Sequence, residues 1–215
     1  MSSNETSKNT ISKDKHDPVF EDSGQLSHYQ IMEIAVRELL IEKQILTANQ
    51  FRSAVESMDS RSPEGGARVV VKAWKDPMFK KELLNDGNNA CKSIGLDLGP
   101  TNLLVVENTP DIHNVIVCTL CSCYPRMLLG IPPDWYKSPS YRARVVKEPR
   151  SVLSEFGTKI PEDIVVRVHD STADMRYLVL PMQPIGSEKM NDSQLTELVT
   201  RDCMIGVTIP RATSE

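Results

Sequence analysis

The sequence has no long apolar run, no excess of positive charge and no apolar segment close to its first residue. No stretch approaches the roughly 20 apolar residues that a membrane helix needs. A formal net charge of −4 argues against a nucleic-acid-binding surface as the main purpose. The opening segment MSSNETSKNTISKDKHDPVFEDSG lacks the apolar core of a secretory signal. We therefore expect a cytoplasmic protein that has neither a membrane nor a nucleic acid as its partner.

Cysteine is scarce as well, but three of the five cysteines stand close together, at Cys118, Cys121 and Cys123. In the expected compartment disulfides are uncommon, and closely spaced cysteines more often bind a metal or carry out redox chemistry. The cluster is therefore the first candidate for a functional site.

The chain divides into three parts by composition. Residues 1–26 are polar and almost without large apolar side chains, so we predict a disordered tail. Residues 27–98 form a predicted helical part, in which Ile31, Ile34, Ala35 and Leu39 share one helix face. Residues 99–215 form a predicted α+β domain that carries the cysteines and would be the metal-binding catalytic domain.

Local signals place helix ends in the helical part. Thr47 with Gln50 three residues later forms a capping-box pattern at the start of a second helix. A third helix is predicted to begin near Gly66. Asp76 is the predicted N-cap of a fourth helix, with Pro77 at its first position and Gly87 as its stop.

The second half alternates predicted strands and helices. Four β-branched or alternating runs, NLLVVEN, HNVIVCTL, EDIVVRVHD and MRYLVLP, predict strands, and CMIGVTIP predicts a closing strand. PSYRARVVKEPRSVLSEFG predicts a helix interrupted at Pro149, and DSQLTELVTRD a short helix capped by Asp192 or Ser193. The predicted fold class is α+β, with a helical N-terminal part leading into a layered α/β C-terminal domain that carries a cysteine loop.

Two ordinary explanations of the cysteine cluster fit its spacing poorly. A structural zinc site usually needs four ligands, commonly two separated pairs. The remaining candidates form no second pair at the required spacing; they are Cys91, His113, His169 and Cys203. A thioredoxin-like C-x-x-C would open a helix, and Pro125 shortly after the cluster disfavours a helix start there.

A third explanation adds the backbone to the three thiolates. Thiolates suit soft or borderline transition metals. If the amides of Ser122 and Cys123 lost their protons, their nitrogens and the sulfurs of Cys121 and Cys123 would close five- and six-membered chelate rings around one ion. Only a strongly Lewis-acidic ion would displace amide protons, so a trivalent ion fits this arrangement better than zinc. One coordination position would stay open for water or substrate.

The motif VCTLCSC resembles the metal-binding signature of the nitrile hydratase α subunit. Collinear segments extend the resemblance over nearly the whole chain after the tail; they include GGARVVVKAW, VVENTPDIHNV, GIPPDWYKSPSYRARVV, EPRSVLSEFG and VTRDCMIGV. The resemblance implies that Cys118, Cys121 and Cys123 supply the sulfur ligands and that Ser122 and Cys123 supply backbone nitrogens. We call residues 118–123 the claw loop.

The resemblance also implies the chemistry. It implies that Cys121 is oxidised to a sulfinate and Cys123 to a sulfenate, which are early steps of cysteine oxidation. Thr119 is the residue of the cobalt type, which implies one Co(III) per chain, with Fe(III) as the alternative. Water would add to a small nitrile to give the amide, with Cys121 and Cys123 as the catalytic residues. A β subunit would complete the site in an αβ or α2β2 enzyme, and a metal-insertion activator protein is a further partner to consider.

The sequence departs from the family pattern directly after the claw loop. Arg126 stands where a pocket tryptophan is expected, and Met127 where proline is common. A cation there makes the predicted substrate pocket less apolar and more favourable for an anion. The γ subunit of thiocyanate hydrolase, a relative with an anionic C≡N substrate, also carries CYPR. We favour the hydratase. Thiocyanate hydrolase is the first alternative, and a zinc-binding interaction module without chemistry is the second.

Other residues carry weaker signals. His113 and His169 are more often structural than functional in such positions. Tyr136 is expected to shape the surroundings of the claw loop. A cationic run is either a solvated helix face or a contact with an acidic partner; it comprises Arg142, Arg144, Lys147 and Arg150.

Overall fold

The computed structural model describes residues 26–212, so the predicted tail at 1–26 lies outside the described residues except for its last position. The first two helices form an arm: α1 is His28–Glu42 and α2 is Ala48–Asp59. Thr47 and Gln50 make the predicted capping box at the start of α2. Neither helix buries a residue, and the predicted apolar face of α1 is largely exposed.

Three further helices follow: α3 is Glu64–Lys75, α4 is Pro77–Asn85 and α5 is Gly87–Ser93. Asp76 caps α4, as predicted, by accepting hydrogen bonds from the backbone of Met78 and Phe79. The helix α4 ends directly before Gly87, as predicted. The sequence did not predict α5, which begins at Gly87 because the side chain of Asp86 caps it by accepting a hydrogen bond from the backbone N–H of Asn89. The start of α3 lies two residues earlier than predicted.

All four strands predicted between residues 99 and 181 are present, in two parallel pairs. The strand β1, Asn102–Glu107, pairs with β4, Met175–Leu180, and β2, Ile112–Val117, pairs with β3, Val165–Asp170. In β2 every residue from His113 to Val117 is buried. The strand therefore runs through the core and delivers the chain directly to the claw loop at Cys118.

Four helices connect β2 to β3: α6 is Arg126–Leu129, α7 is Asp134–Lys137, α8 is Pro139–Lys147 and α9 is Pro149–Glu155. The predicted interruption at Pro149 separates α8 from α9. Two more helices follow β4: α10 is Asp192–Leu198 and α11 is Arg201–Ile205.

Two predictions near the C-terminus are wrong. The N-cap of α10 is Asn191, whose side chain accepts a hydrogen bond from the backbone of Gln194, and neither Asp192 nor Ser193 has this role. The run CMIGVTIP is no strand, because its first residues complete α11, which Thr200 caps. Gly206 ends α11 in a left-handed conformation, where an added Cβ would lie 2.1 Å from the carbonyl oxygen of Asn114.

The core joins the helical part to the strands. Val69 and Val70 of α3 and Val115 and Ile116 of β2 are fully buried in the same hydrophobic cluster. The helical N-terminal part leading into an α/β arrangement confirms the predicted fold class, whereas the domain boundary at residue 98 stays a prediction. None of the helices in the described part of the chain is long and apolar enough to cross a membrane.

Candidate metal centre

The claw loop links a buried strand to a short helix. Cys118 continues β2 and is 1% exposed, Cys121 is exposed, and Cys123 is half-buried. Tyr124 and Pro125, both buried, then lead into α6. The loop is therefore anchored at both ends and presents its middle to the outside.

The three cysteine sulfurs converge. The Sγ atoms of Cys118 and Cys121 are 3.3 Å apart, and those of Cys121 and Cys123 are 3.2 Å apart. All three lie within 4.8 Å of one another, and none forms a disulfide. Such a cluster of reduced thiols can hold one soft or borderline metal ion.

Backbone N–H groups point to the same place. The N–H of Cys121 donates to the Sγ of Cys118 at 3.3 Å. The N–H groups of Ser122 and Cys123 also contribute to the lowered pKa of Cys121, which places them near its sulfur. That these two nitrogens bind an ion stays a prediction.

The sulfurs differ in how readily they lose a proton. Hydrogen bonds from the thiols of Cys123 and Cys118, helped by the backbone N–H groups, lower the pKa of Cys121 to about 7. Burial, together with the neighbouring Cys121 and Cys118 sulfurs, raises the pKa of Cys123 to about 12, against an opposing effect of the Arg176 charge. Of these two thiols, the exposed Cys121 therefore loses its proton more readily than Cys123.

Three side chains from outside the loop hold its backbone. Asp170, at the end of β3, accepts hydrogen bonds from the N–H of Thr119 at 2.9 Å and from its hydroxyl at 2.5 Å. Tyr136 donates to the carbonyl oxygen of Cys123 at 2.9 Å. Arg142 donates to the carbonyl oxygen of Cys121 at 3.2 Å. The claw loop is therefore shaped by residues that α7, α8 and β3 bring to it.

The structure separates the members of the cationic run. Arg144 pairs with Glu148 and Glu155. Arg150 donates to backbone carbonyls of the segment before β3, among them that of Ile160 at 2.9 Å. Only the contact of Arg142 reaches the claw loop. The run is therefore neither one solvated face nor one patch.

The other candidate zinc ligands lie elsewhere. Cys91 is in the hydrophobic core, and the Sγ of Cys203 lies 3.3 Å from the Thr208 hydroxyl. His113 and His169 hydrogen-bond to the carbonyl of Gly206 and the side chain of Asn114. In the described part of the chain, no fourth histidine, cysteine or carboxylate joins the three sulfurs, as a four-ligand zinc site would require.

A cavity of about 270 Å³ is lined by Tyr124 and Pro125, directly after the claw loop, and among the described residues that line it there is no cysteine. Arg126 lines this cavity, as do two other arginines, Arg61 and Arg176, and among the described residues that line it none is acidic. Arg126 donates to the sulfur of Met58 at 3.6 Å, and Arg61 donates to the sulfur of Met127. Because thioethers are weak acceptors, these guanidinium groups keep donor capacity for an anion.

Several site residues escaped sequence reasoning. Asp170 is the last residue of the predicted strand EDIVVRVHD and carried no sign of a contact with the claw loop, and Arg61 carried no signal at all. Arg142 was one of four similar cations. Their roles come from contacts between residues far apart in the sequence, and the sole local hint was the position of Tyr136 shortly after the claw loop.

Nearly the whole described chain matches one protein family. The family model for "Nitrile hydratase, alpha chain" matches residues 27–208. The chain belongs to the nitrile hydratase alpha-chain family. The cobalt-containing nitrile hydratase subunit alpha of Pseudonocardia thermophila is 48% identical over 176 residues, covering 80% of this chain and 86% of that protein. The thiocyanate hydrolase subunit gamma of Thiobacillus thioparus is 44% identical over 199 residues, covering 87% of this chain and 82% of that protein.

A solved structure agrees with this assignment. The Fe-type nitrile hydratase from Comamonas testosteroni superposes with a TM-score of 0.79 at 40% identity, covering 87% of this chain and 94% of that chain. The family resemblance seen in the motifs is therefore confirmed, and so is its fold. The curated relatives are named as subunits, so this is a family of multi-subunit enzymes, and both cobalt and iron occur in the names of its members.

Proposed function

We propose that this chain is the catalytic alpha subunit of a nitrile hydratase, which adds water to a nitrile to give the amide. The observation that carries the proposal is the convergence of three cysteine sulfurs in the claw loop, all within 4.8 Å of one another. Sulfur donors combined with amide nitrogens suit a trivalent transition ion better than zinc. Co(III), one per chain, is the proposed ion, and Fe(III) is the alternative.

The proposed ligands are the sulfurs of Cys118, Cys121 and Cys123 and the backbone nitrogens of Ser122 and Cys123. When bound, the ion would act as a Lewis acid that polarises a nitrile or lowers the pKa of a water molecule. Cobalt is favoured by Thr119, the residue that the family resemblance connects with the cobalt type, and by the name of the Pseudonocardia relative.

Exposure supports the proposed oxidation of two of the three sulfurs. Oxidants reach accessible sulfurs before buried ones. Cys121 is exposed and Cys123 is half-buried, whereas Cys118 is shielded by the core. We assign the sulfinate to Cys121 and the sulfenate to Cys123, whose oxygen would serve as nucleophile or general base toward the nitrile.

The surface around the claw loop supports a partner subunit. Leu120, between two of the proposed ligands, is 89% exposed. Large apolar side chains at such positions mark surfaces that another chain covers. We propose that a β subunit covers this surface in an αβ or α2β2 enzyme.

A second candidate function has a specific observation in its favour. Arg61, Arg126 and Arg176 line the cavity next to Tyr124, and none of the described residues that line it carries a carboxylate. An anion is therefore favoured in this cavity over an uncharged molecule. This supports hydrolysis of thiocyanate, as in the gamma-subunit relative, as the alternative to nitrile hydration.

The experiment that tests both candidates is a competition assay on the chain co-purified with its partner subunit. Equal amounts of a small aliphatic nitrile and thiocyanate are supplied, and the loss of each is followed. Amide formation with thiocyanate left intact supports the hydratase. Loss of thiocyanate with the nitrile left intact refutes it in favour of the second candidate.

A substitution of Arg126 tests whether the cavity determines the preference between nitrile and thiocyanate. Arg126→Trp should lower any thiocyanate turnover and raise that of the nitrile, because it replaces a cation by an apolar ring. Arg68→Trp, at an exposed position on α3 outside this cavity, is the matched control and should change neither. Equal effects of the two substitutions on turnover would show that Arg126 does not determine which substrate is used.

A further inference from the structure

Arg142 reaches the claw loop from a firmly held helix. Its neighbour Tyr141 is fully buried, and the Tyr141 hydroxyl donates to the carbonyl oxygen of Ile116 at 2.7 Å. Ile116 belongs to β2, the strand that enters the claw loop. The helix α8 is thereby fixed to the base of the loop, and the guanidinium of Arg142 is delivered to the carbonyl oxygen of Cys121.

The guanidinium of Arg142 has no competing anion nearby. Within residues 26–212 no carboxylate forms an ion pair with it, whereas Arg144, on the same helix, has two. The Nε atom of Arg142 is buried without a hydrogen-bond partner. Leaving a buried donor unpaired costs free energy. The conformation of the Arg142 side chain is therefore not the one that would satisfy all of its own hydrogen-bond donors. Its charge remains available to the claw loop.

The acceptor of Arg142 belongs to a proposed metal ligand. The carbonyl oxygen of Cys121 and the nitrogen of Ser122 are parts of one peptide group. When that nitrogen binds an ion in place of its proton, the peptide group carries a negative charge shared between nitrogen and oxygen. A hydrogen bond from a guanidinium to that oxygen then becomes charge-assisted and roughly twice as strong as a neutral one.

We propose that Arg142 is a positioning residue of the metal centre, which compensates the charge of the Cys121–Ser122 peptide and keeps the Ser122 nitrogen directed at the ion. The inference rests on the proposed function, because it takes this nitrogen as a ligand. Tyr136 differs in kind. It donates to the carbonyl of Cys123, which shares a peptide with the nitrogen of Tyr124, and that nitrogen is no proposed ligand.

The test compares cobalt retention in the complex with the partner subunit. Arg142→Gln removes the charge, and Arg142→Lys keeps a charge on a side chain without the guanidinium fork. Lys147→Gln removes a charge from the same helix and is the matched control, since no hydrogen bond from Lys147 to the claw loop occurs in the described part of the chain. Each variant is loaded with cobalt, and cobalt content and release into excess chelator are measured.

Arg142→Gln should release cobalt about 10- to 100-fold faster than the wild type, the range typical for loss of a residue that supports a metal ligand. Arg142→Lys should be intermediate, and Lys147→Gln should stay within about two-fold. The sulfur-to-cobalt absorption band, normalised per bound cobalt, should move to shorter wavelength in Arg142→Gln, because an uncompensated peptide nitrogen is a stronger donor. A merely structural role would lower cobalt content without moving this band.

Two failures are distinguishable. Wild-type complex that takes up no cobalt or iron would overturn the proposed function itself. Wild-type complex that binds cobalt, with release and absorption band unchanged in Arg142→Gln, would overturn the role of Arg142 alone. Circular dichroism of each metal-free variant verifies that a loss of cobalt does not reflect unfolding.

Discussion

Replacing Tyr136 by phenylalanine removes one oxygen atom beneath the claw loop and leaves the ring in place. The hydroxyl donates to the carbonyl oxygen of Cys123 at 2.9 Å. The ring is fully buried and contacts Tyr124 edge-on, with 5.2 Å between the ring centroids. Tyr136→Phe should keep this ring contact and lose the hydrogen bond.

The magnitude follows from the surroundings of the acceptor. A typical hydrogen bond contributes about 1 kcal/mol net, and a buried group left without a partner costs about 1–3 kcal/mol. Cys123 is half-buried, so water can replace the lost donor at its carbonyl oxygen and the smaller figure applies. We expect Tyr136→Phe to lower the free energy of unfolding by about 1 kcal/mol. In a chain of this length that corresponds to a Tm lower by about 2–4 °C.

Urea unfolding of the metal-free chain, followed by circular dichroism, measures this change. Tyr177→Phe is the control, because no hydrogen bond of the Tyr177 hydroxyl occurs among residues 26–212 and its removal should cost less than about 0.5 kcal/mol. Equal stabilities of the two variants would refute the reasoning that the Tyr136 hydroxyl holds the claw loop.

Three further predictions concern the frame around the loop. Gly130→Ala should lower the free energy of unfolding by about 3 kcal/mol or more, since φ is +71° and an added Cβ would lie 2.4 Å from the carbonyl oxygen of Arg61. Gly157 has a similarly positive φ, but an added Cβ there would meet open space. Gly157→Ala should therefore lower the free energy of unfolding clearly less in the same urea assay. Burial lowers the pKa of His113, so the unfolded chain binds a proton on this imidazole more readily than the folded chain. The free energy of unfolding should therefore fall as the pH drops below about 6.5. Urea midpoints measured across pH should fall less steeply in His113→Gln, and an equally steep fall would contradict this. Asp170→Ala should speed hydrogen exchange at the Thr119 amide about ten-fold or more, and unchanged exchange would show that this bond does not protect it.

Local chemistry explains which elements could be predicted. The capping box of Thr47 and Gln50 lies within four consecutive residues, and the claw loop brings its sulfurs together within six. The strands β1 to β4 carry β-branched runs that few helices tolerate. In each case the determining residues are neighbours in the sequence.

The errors have equally physical reasons. The run CMIGVTIP is apolar because Cys203, Met204 and Ile205 are buried, and a short buried helix has the same composition as a buried strand. Thr200 and Gly206 were the local signals for a helix. The helix α5 was not predicted because the glycine at its first position suggested a loop. The side chain of Asp86 caps a new helix there, immediately after α4 ends.

The supports of the claw loop could not be predicted in this way. Arg142 lies 21 residues and Asp170 51 residues from their partners in the loop. Their contacts depend on the packing of α8 and on the pairing of β2 with β3. Sequence reasoning identifies the candidate ligands, and the fold reveals what holds them.

Metal analysis of the complex with its partner subunit tests the central claim most directly. Elemental analysis, with mass spectrometry of the peptide that carries the claw loop, should find one cobalt or iron per chain and added oxygen on Cys121 and Cys123. Cys121→Ser should abolish both metal binding and turnover. Stoichiometric zinc with three unoxidised cysteines would contradict the account and would favour a zinc-binding interaction module.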